Sequence, residues 1–174
     1  KKFRALMALS LLFSWVFGTP LQGLVNQDDK TVRVFIFAGQ SNMVGSDSKV
    51  KDIKRFPPFA GLEEPQAKVK FSYSIGRKNK TESKGWVDLQ PVNNVVGPEL
   101  SFARKVTREI KAPIAVIKCA AGGTHLGGDW NPDEPTGFKM YPLALSLIRS
   151  SLAELDERKV KYRIEGFMWH QGEN

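Results

Sequence analysis

Three short apolar runs, each followed by a polar segment that contains glycine, stand out along this chain. They cover residues 32–38, 114–120 and 164–170, and they are rich in β-branched and aromatic residues. Runs of this kind are typical of strands that are buried on both faces of a parallel sheet. We therefore predict three parallel strands at these positions.

Amphipathic helices are predicted in front of the second and third strands. The first begins at Pro98-Glu99, where a proline in the first turn and an acid near the helix N-terminus are favourable, and ends before Pro113. Its apolar positions are Leu100, Ala103, Val106 and Ile110. The second has apolar residues three and four positions apart, namely Tyr141, Leu145, Ile148, Leu152 and Leu155. This alternation predicts a single α/β domain with three layers and a mostly parallel sheet.

The first eighteen residues have the layout of a secretory signal. Three cations precede an apolar run over residues 5–17, and the small residue Gly18 follows it. The run is shorter than a bilayer span requires. We expect export to the periplasm or the extracellular space, with cleavage near Gly18 or, as a second choice, Gly23. The chain would then consist of a signal peptide (1–18), a linker (19–31) and the α/β domain (32–174).

The positive charge of the chain is scattered. The formal net charge is +8, and ten Lys and Arg against six Asp and Glu lie within residues 46–90. A nucleic-acid surface would combine such cations with exposed aromatic residues on an organised face. We interpret this segment as solvated loop sequence and expect no nucleic-acid partner and no stable membrane insertion after signal cleavage.

Cysteine and histidine are too sparse for a disulfide or a zinc site. Cys119 is the only cysteine, and the chain has two histidines that are far apart. An intrachain disulfide is therefore impossible, and no zinc-ligand spacing is present. We expect Cys119 to be a small core residue of the second strand, and we expect neither a metal nor another cofactor.

Residues 44–97 form an unusually long connection between the first strand and the first clear helix. Short β-like pieces at 68–73 and 86–92 lie within polar sequence that contains proline and glycine. Long connections in compact domains are often lids or substrate-contacting elaborations. This segment is therefore a candidate for substrate contact.

The segments after the three strands should meet at one edge of the sheet. They are Gly39-Gln40-Ser41-Asn42, Ala121-Gly122-Gly123-Thr124-His125 and Gln171-Gly172-Glu173-Asn174. Open α/β sheets bind ligands at the carboxyl ends of their strands. A serine there could act as the nucleophile in acyl transfer, given a base that accepts its proton.

Such a reaction also needs hydrogen-bond donors for the oxyanion. Three candidates come from the three loops: the backbone N–H of Ser41, an N–H of Gly122 or Gly123, and the side-chain amide of Gln171. An ordinary strand-to-helix turn remains the alternative explanation of Gly122-Gly123.

These residues resemble the sialate O-acetylesterase and carbohydrate acetylesterase branch of the SGNH hydrolases. The matching elements are Gly39-Gln40-Ser41-Asn42-Met43, Gly97-Pro98-Glu99-Leu100, Lys118 through Thr124, Asp129-Trp130-Asn131-Pro132 and Trp169-His170-Gln171-Gly172-Glu173. The resemblance implies a flavodoxin-like three-layer fold that removes O-acetyl groups from sugars without a cofactor. It also implies that Ser41 is the nucleophile and that Gly122-Gly123 and Gln171 complete the oxyanion hole.

One part of the family pattern is missing. The resemblance implies a catalytic histidine in a late Asp-x-x-His segment, and the 174 residues contain none. Neither His125 nor His170 occupies that position, although Glu173 could orient a histidine. A sheet of three strands would also leave an apolar edge unpaired. We interpret the chain as the N-terminal part of a longer enzyme, inactive by itself.

The expected substrate contacts are Gln40, Asn42, His125 and Trp130.

Two other functions stay open on the sequence. A glycan-binding domain of the same fold could keep the pocket without the base, and Trp86 and Trp130 could then stack on sugar faces. A nucleotide-binding domain is a weaker alternative, because Gly39-Gln40-Ser41-Asn42 lacks the spacing and the lysine of a phosphate-binding loop.

Overall fold

The computed structural model describes residues 30–173. Over this range the chain forms six strands, three α-helices and two short 3₁₀ helices. In chain order they are β1 (Val32–Gly39), α1 (Ser41–Val44), two 3₁₀ helices (Val50–Arg55 and Pro57–Phe59), β2 (Gln66–Ile75), β3 (Thr81–Glu82), β4 (Val87–Leu89), α2 (Pro98–Glu109), β5 (Ile114–Ala120), α3 (Met140–Glu157) and β6 (Tyr162–His170).

The six strands form one mixed, mostly parallel sheet. Its order is β3-β2-β5-β1-β6, with β4 also paired to β2. The four longer strands run parallel to one another, whereas β3 and β4 are antiparallel to β2. Gly39 at the end of β1 is level with Ala120 on β5 and His170 on β6. The carboxyl ends of these three strands therefore lie side by side, and the α/β fold is confirmed.

The expectation of three parallel strands was wrong by one strand. β2 lies next to β5 and runs parallel to it, within the segment that we interpreted as a long connection. Its sequence contains polar residues at several positions, and the first part of the strand is largely exposed. The sequence indicated only a short β-like piece at 68–73, because a partly exposed strand lacks the continuous apolar run that identifies buried parallel strands.

Alternate residues of the strands build two cores, one on each face of the sheet. On one face, Phe37 packs edge-on against Phe102 of α2, with ring centroids 5.3 Å apart. On the other face, Val34 and Ile36 pack with Leu155 of α3. This alternation follows from the period of two residues in a strand. The three-layer arrangement is therefore confirmed.

The face of α3 that contacts the sheet matches in part the one that its apolar spacing indicated, since Leu155 is buried and Ile148 and Leu152 pack against the core. Its buried residues are Met140, Ala144, Ser151 and Leu155. Tyr141 is exposed, and the Ser151 hydroxyl is hydrogen-bonded to that of Ser72 on β2 at 2.8 Å. Small residues on the inner face let the helix lie close to the sheet, so size as well as hydropathy decides which side is buried.

Two further expectations concern the core and the N-terminus. Cys119 is buried within β5 as expected, and burial raises the pKa of its thiol to about 12. The proposed signal peptide lies outside the described residues. Among residues 30–173, no helix is long and apolar enough to cross a membrane.

Candidate active site

The junction between β1 and α1 places Ser41 at the carboxyl edge of the sheet. Gly39 adopts a φ of +154°, and a Cβ at this position would collide with the carbonyl oxygen of His170. The next residue, Gln40, donates its backbone N–H to that same carbonyl over 3.0 Å. Only glycine permits so close an approach of two strands. The chain then turns directly into α1, which begins at Ser41.

The loop after β5 lies against the nucleophile candidate. A Cβ at Gly122 would lie 3.5 Å from the Cβ of Ser41, which is ordinary van der Waals contact. The following residue, Gly123, has a φ of +66°, a conformation that glycine adopts without strain. Within residues 30–173, the Ser41 hydroxyl makes no hydrogen bond to a base. The structure therefore brings Ser41 and Gly122 together as the sequence predicts, without an activating imidazole.

Glu173 joins the third loop to the first. Its carboxylate accepts a hydrogen bond from the Asn42 side-chain amide at 2.7 Å and another from the Gln40 side-chain amide. The Nε2 atom of His170 lies 3.5 Å from the same carboxylate. Partial loss of solvent opposes ionisation, yet the hydrogen bonds from Asn42 and Gln40 hold the pKa of Glu173 below its ordinary value. Gln40 is fully buried, so this contact reaches beneath the nucleophile turn.

Gln171 joins the third loop to the second. Its side-chain amide nitrogen donates to the carbonyl of Thr124 over 2.9 Å. The amide oxygen is buried and accepts no hydrogen bond within residues 30–173. An amide nitrogen carries two N–H groups, so one donor remains after the bond to Thr124.

The rest of the second loop is held by two buried polar side chains. Asp129 accepts the backbone N–H of His125 at 2.8 Å and that of Phe138 at 2.6 Å. Thr124 accepts the indole N–H of Trp130 at 3.0 Å. Trp130 is only 5% exposed, so its ring supports the loop and does not present an open face. His125, in contrast, is exposed at the rim of the site.

A buried ion pair that the sequence analysis missed lies under α1. The Lys118 ammonium is 2.5 Å from Glu99 and also donates to the carbonyl of Val44 at the end of α1, over 3.3 Å. Burial lowers the pKa of Lys118, and Glu99 acts in the opposite direction. The sequence did contain a signal for this pair, namely a lysine inside an otherwise apolar strand. A charged side chain that is buried needs a partner of opposite charge.

A cavity of about 540 Å³ opens beside the first and third loops. Asn42 and His170 lie on its wall near the nucleophile, and the 3₁₀ helices form the opposite wall with exposed Phe56 and Phe59. The wall also contains Asp47, Ser48, Asp52 and Ser101. Aromatic faces combined with polar groups suit a sugar. The long connection thus contributes to the site through residues 47–62.

The structure unites most of the residues named from the sequence and separates some. Gly122 lies close to Ser41, Glu173 is hydrogen-bonded to Asn42, and Gln171 and His125 lie on the third and second loops. Trp86, which we considered as a sugar platform, instead donates its indole N–H to the Ser151 carbonyl of α3 at 3.1 Å. No three His, Cys, Asp or Glu side chains between residues 30 and 173 are grouped so as to hold a metal ion.

The fold and the three loops define a three-layer α/β protein with a candidate site at the carboxyl edge of its sheet. A family profile described as a carbohydrate esterase, sialic acid-specific acetylesterase, matches residues 31–174, and the chain therefore belongs to that family. No curated protein matches the chain.

Solved structures that share this fold include the following two. One is a protein from Arabidopsis thaliana, with 22% sequence identity and a TM-score of 0.52 over 80% of this chain and 57% of the other. The second is NanS, with 19% identity and a TM-score of 0.55 over 83% of this chain and 54% of the other. The chain thus spans little more than half the length of these relatives.

Proposed function

We propose that this chain is the nucleophile-bearing part of an exported serine esterase that removes O-acetyl groups from carbohydrates. The observation that carries the proposal is the close approach of the Gly122 backbone to Ser41, where a Cβ on Gly122 would already meet the Cβ of Ser41, at the edge where the three loops meet. Family membership supports the carbohydrate ester as the substrate class. The aromatic and polar cavity beside Asn42 supports a sugar as the alcohol part of the ester.

In the proposed reaction, the Ser41 hydroxyl attacks the acetyl carbonyl and the sugar hydroxyl leaves. The acetyl-enzyme is then hydrolysed by water, which releases acetate. The oxyanion would be stabilised by the backbone N–H of Ser41, since the first N–H groups of a helix have no partner within it. The Gly122-Gly123 backbone and the remaining amide N–H of Gln171 are the other donors. Each such donor contributes about 3–4 kcal/mol to transition-state stabilisation.

The base in this proposal is a histidine from sequence beyond Asn174, in the Asp-x-x-His segment that the family resemblance implies. No Asp-x-x-His segment lies within residues 30–173, and the Ser41 hydroxyl has no hydrogen bond to a base in that range. Within residues 30–173 no strand pairs with the outer side of β6, and this supports further strands in the full protein as part of the proposal. Glu173 is the proposed orienting acid, although Asn42 and Gln40 already occupy its carboxylate.

Acetate release by the full-length protein tests the proposal. O-acetylated N-acetylneuraminic acid and acetylated xylan are the substrates to compare, with Ser41→Ala expected to reduce kcat at least about 1,000-fold. Ser46→Ala is the matched control, because Ser46 lies in the same turn and its loss should leave kcat within about twofold. Equal activity of Ser41→Ala and Ser46→Ala would rule out the nucleophile.

A glycan-binding domain without catalysis is the second candidate, favoured by the lack of a base at Ser41 within the described residues. Saturable sugar binding by the full-length protein with no acetate release would support it.

Export is tested separately by N-terminal sequencing of the secreted protein, which should begin just after Gly18.

A further inference from the structure

The segment between Ile53 and Leu62 carries two aromatic side chains on the surface of the domain. Ile53 and Leu62 are buried and belong to the core on the α2 side of the sheet. Between them, Phe56 and Phe59 are 52% and 45% exposed, and both line the cavity beside the first and third loops. Neighbouring large apolar side chains that stay exposed are typical of a binding surface. We call Phe56 and Phe59 the aromatic platform.

The backbone of residues 56–59 holds the two rings on one side. The backbone N–H of Phe59 donates to the carbonyl of Phe56 over 2.8 Å, which is the hydrogen bond of a 3₁₀ turn. Side chains three residues apart lie above one another in such a turn. Pro57 and Pro58 occupy the two positions between the rings, and each fixes its own φ. The aromatic platform is therefore preformed, and little conformational entropy is lost when a ligand binds to it.

Arg104 of α2 holds this segment against the rest of the domain. Its Nη1 donates to the carbonyl of Ala60 over 2.8 Å, and its Nη2 donates to the carbonyl of Pro58 over 2.7 Å. These two carbonyls flank Phe59, so one guanidinium fixes the backbone on both sides of that residue. The planar fork of a guanidinium suits two acceptors at once, whereas a lysine ammonium is a single point charge. α2 is itself packed on the sheet through Leu100, which is fully buried.

The aromatic platform and the proposed active site lie on opposite walls of the same cavity. Asn42, which follows Ser41, and His170 line the wall near the nucleophile. Ser48 and Asp52 also line the cavity, and they offer a hydroxyl group and a carboxylate to the hydroxyls of a sugar. An ester whose acetyl group reached Ser41 would extend its alcohol part into this space of about 540 Å³.

From this geometry we infer that the aromatic platform stacks against the pyranose ring of the acetylated sugar, and that Arg104 is a positioning residue for Phe59. The inference rests on the proposed function, since it names the residues that bind the sugar part of the same substrate. The face of an aromatic ring carries partial negative charge, so the C–H bonds on one side of a pyranose meet it favourably. Stacking of this kind recognises the ring and not its charge, and it takes no part in bond making.

Binding of acetylated sugars by the full-length protein carrying Ser41→Ala tests the inference without turnover. The probes are O-acetylated N-acetylneuraminic acid and acetylated xylo-oligosaccharides, and affinities are measured by isothermal titration calorimetry. Phe59→Leu should weaken binding of the tighter-binding probe about tenfold, because leucine keeps an apolar side chain but has no ring face. Phe59→Tyr keeps the ring and should retain the affinity of the parent protein.

Arg104→Gln removes the guanidinium fork and leaves both rings in the chain. We expect it to weaken binding of the same probe severalfold. Since Arg104 acts through Phe59, the double variant Phe59→Leu with Arg104→Gln should bind no more weakly than Phe59→Leu alone. Arg108→Gln is the matched control, because Arg108 is an exposed arginine one turn further along α2 and its loss should not change the affinity.

Ethyl acetate, an ester without a ring, separates sugar binding from damage to the nucleophile. With Ser41 present, Phe59→Leu and Arg104→Gln should leave kcat/KM for ethyl acetate unchanged, and a parallel loss would overturn the inference. Unchanged sugar affinity in Phe59→Leu, equal losses in Arg104→Gln and Arg108→Gln, additive losses in the double variant, or no binding of either probe to the parent protein would overturn it as well. Failure of the esterase proposal is separate: it would show as sugar binding without acetate release, or as acetate release that does not depend on Ser41.

Discussion

Lys118 and Glu99 are both almost completely buried, with side-chain exposures of 1% and 3%, and their charged atoms are 2.5 Å apart. Removing one partner leaves the other charge buried without compensation, which costs about 3–5 kcal/mol. We expect Lys118→Met to lower the free energy of unfolding by this amount in urea denaturation. The double variant Lys118→Met with Glu99→Leu should lose much less, since no unpaired charge remains.

The exposed pair between Lys105 and Glu109 is the control for this prediction. Its atoms are 2.8 Å apart, but both side chains are more than half exposed. Lys105→Met should leave the free energy of unfolding almost unchanged, because ion pairs in solvent contribute little to stability. If Lys118→Met were no more damaging than Lys105→Met, the buried pair would not be what supports the end of α1.

Glu173 gives a pH-dependent prediction. Loss of solvent would raise its pKa, but the hydrogen bonds from Asn42 and Gln40 hold the pKa below the ordinary value of 4.5. The contribution of these bonds to stability is therefore present above about pH 4.5 and lost as the pH falls through the folded-state pKa. Asn42→Ala should shift the pKa of Glu173 upward in a carboxyl NMR titration.

Glu82 is the internal reference in the same titration. Its pKa is lowered chiefly by the hydrogen bond from Lys80, and Asn42 is not among the groups that shift it. Asn42→Ala should leave the pKa of Glu82 unchanged. An unchanged pKa of Glu173 would mean that the Asn42 contact does not persist in solution.

At the scale of secondary-structure elements, the join of β1 to β6 depends on Gly39. A Cβ there meets the His170 carbonyl, and the φ of +154° is unfavourable for other residues. Gly39→Ala should therefore lower the free energy of unfolding by at least about 3 kcal/mol in chemical denaturation. Because the Gln40 N–H would separate from His170, the turn bearing Ser41 should be displaced as well.

Gly61 is the control for this prediction, because a substitution there introduces backbone strain without a steric collision. It also has a positive φ, +85°, but a Cβ there would have no neighbour within 4 Å. Gly61→Ala should cost only the backbone term, about 1–2 kcal/mol. Equal losses in the two variants would show that the collision at Gly39 is relieved by a small shift of β6.

Element positions were predictable where one physical signal dominated. α2 begins at Pro98 as predicted and ends at Glu109, because proline and an acid mark the start and Pro113 limits the end. β2 was missed as a parallel strand because its exposed half mixes polar and apolar residues. The buried face of α3 includes Ala144 and Ser151, which an apolar stripe cannot identify, since close approach favours small size.

At the scale of the whole molecule, topology explains why the grouping of the candidate loops was predictable. Parallel strands bring their following loops to one edge, so Ser41, Gly122 and Gln171 could be grouped before any distance was known. The partners within the group were not predictable. The contacts of Glu173 with Gln40 and of Gln171 with Thr124 depend on side-chain directions in loops without a repeating pattern.

The free edge of β6 leads to the last prediction. Within residues 30–173 no strand pairs with its outer side, and Ile164, Phe167 and Trp169 are 48%, 57% and 42% exposed. An exposed apolar edge strand favours association. We expect this chain to self-associate with rising concentration in sedimentation velocity, and Phe167→Lys to reduce that association. Leu126→Lys, at a loop residue 53% exposed, should not. Equal effects of the two lysines, or a monomer at all concentrations, would exclude β6 as the associating surface.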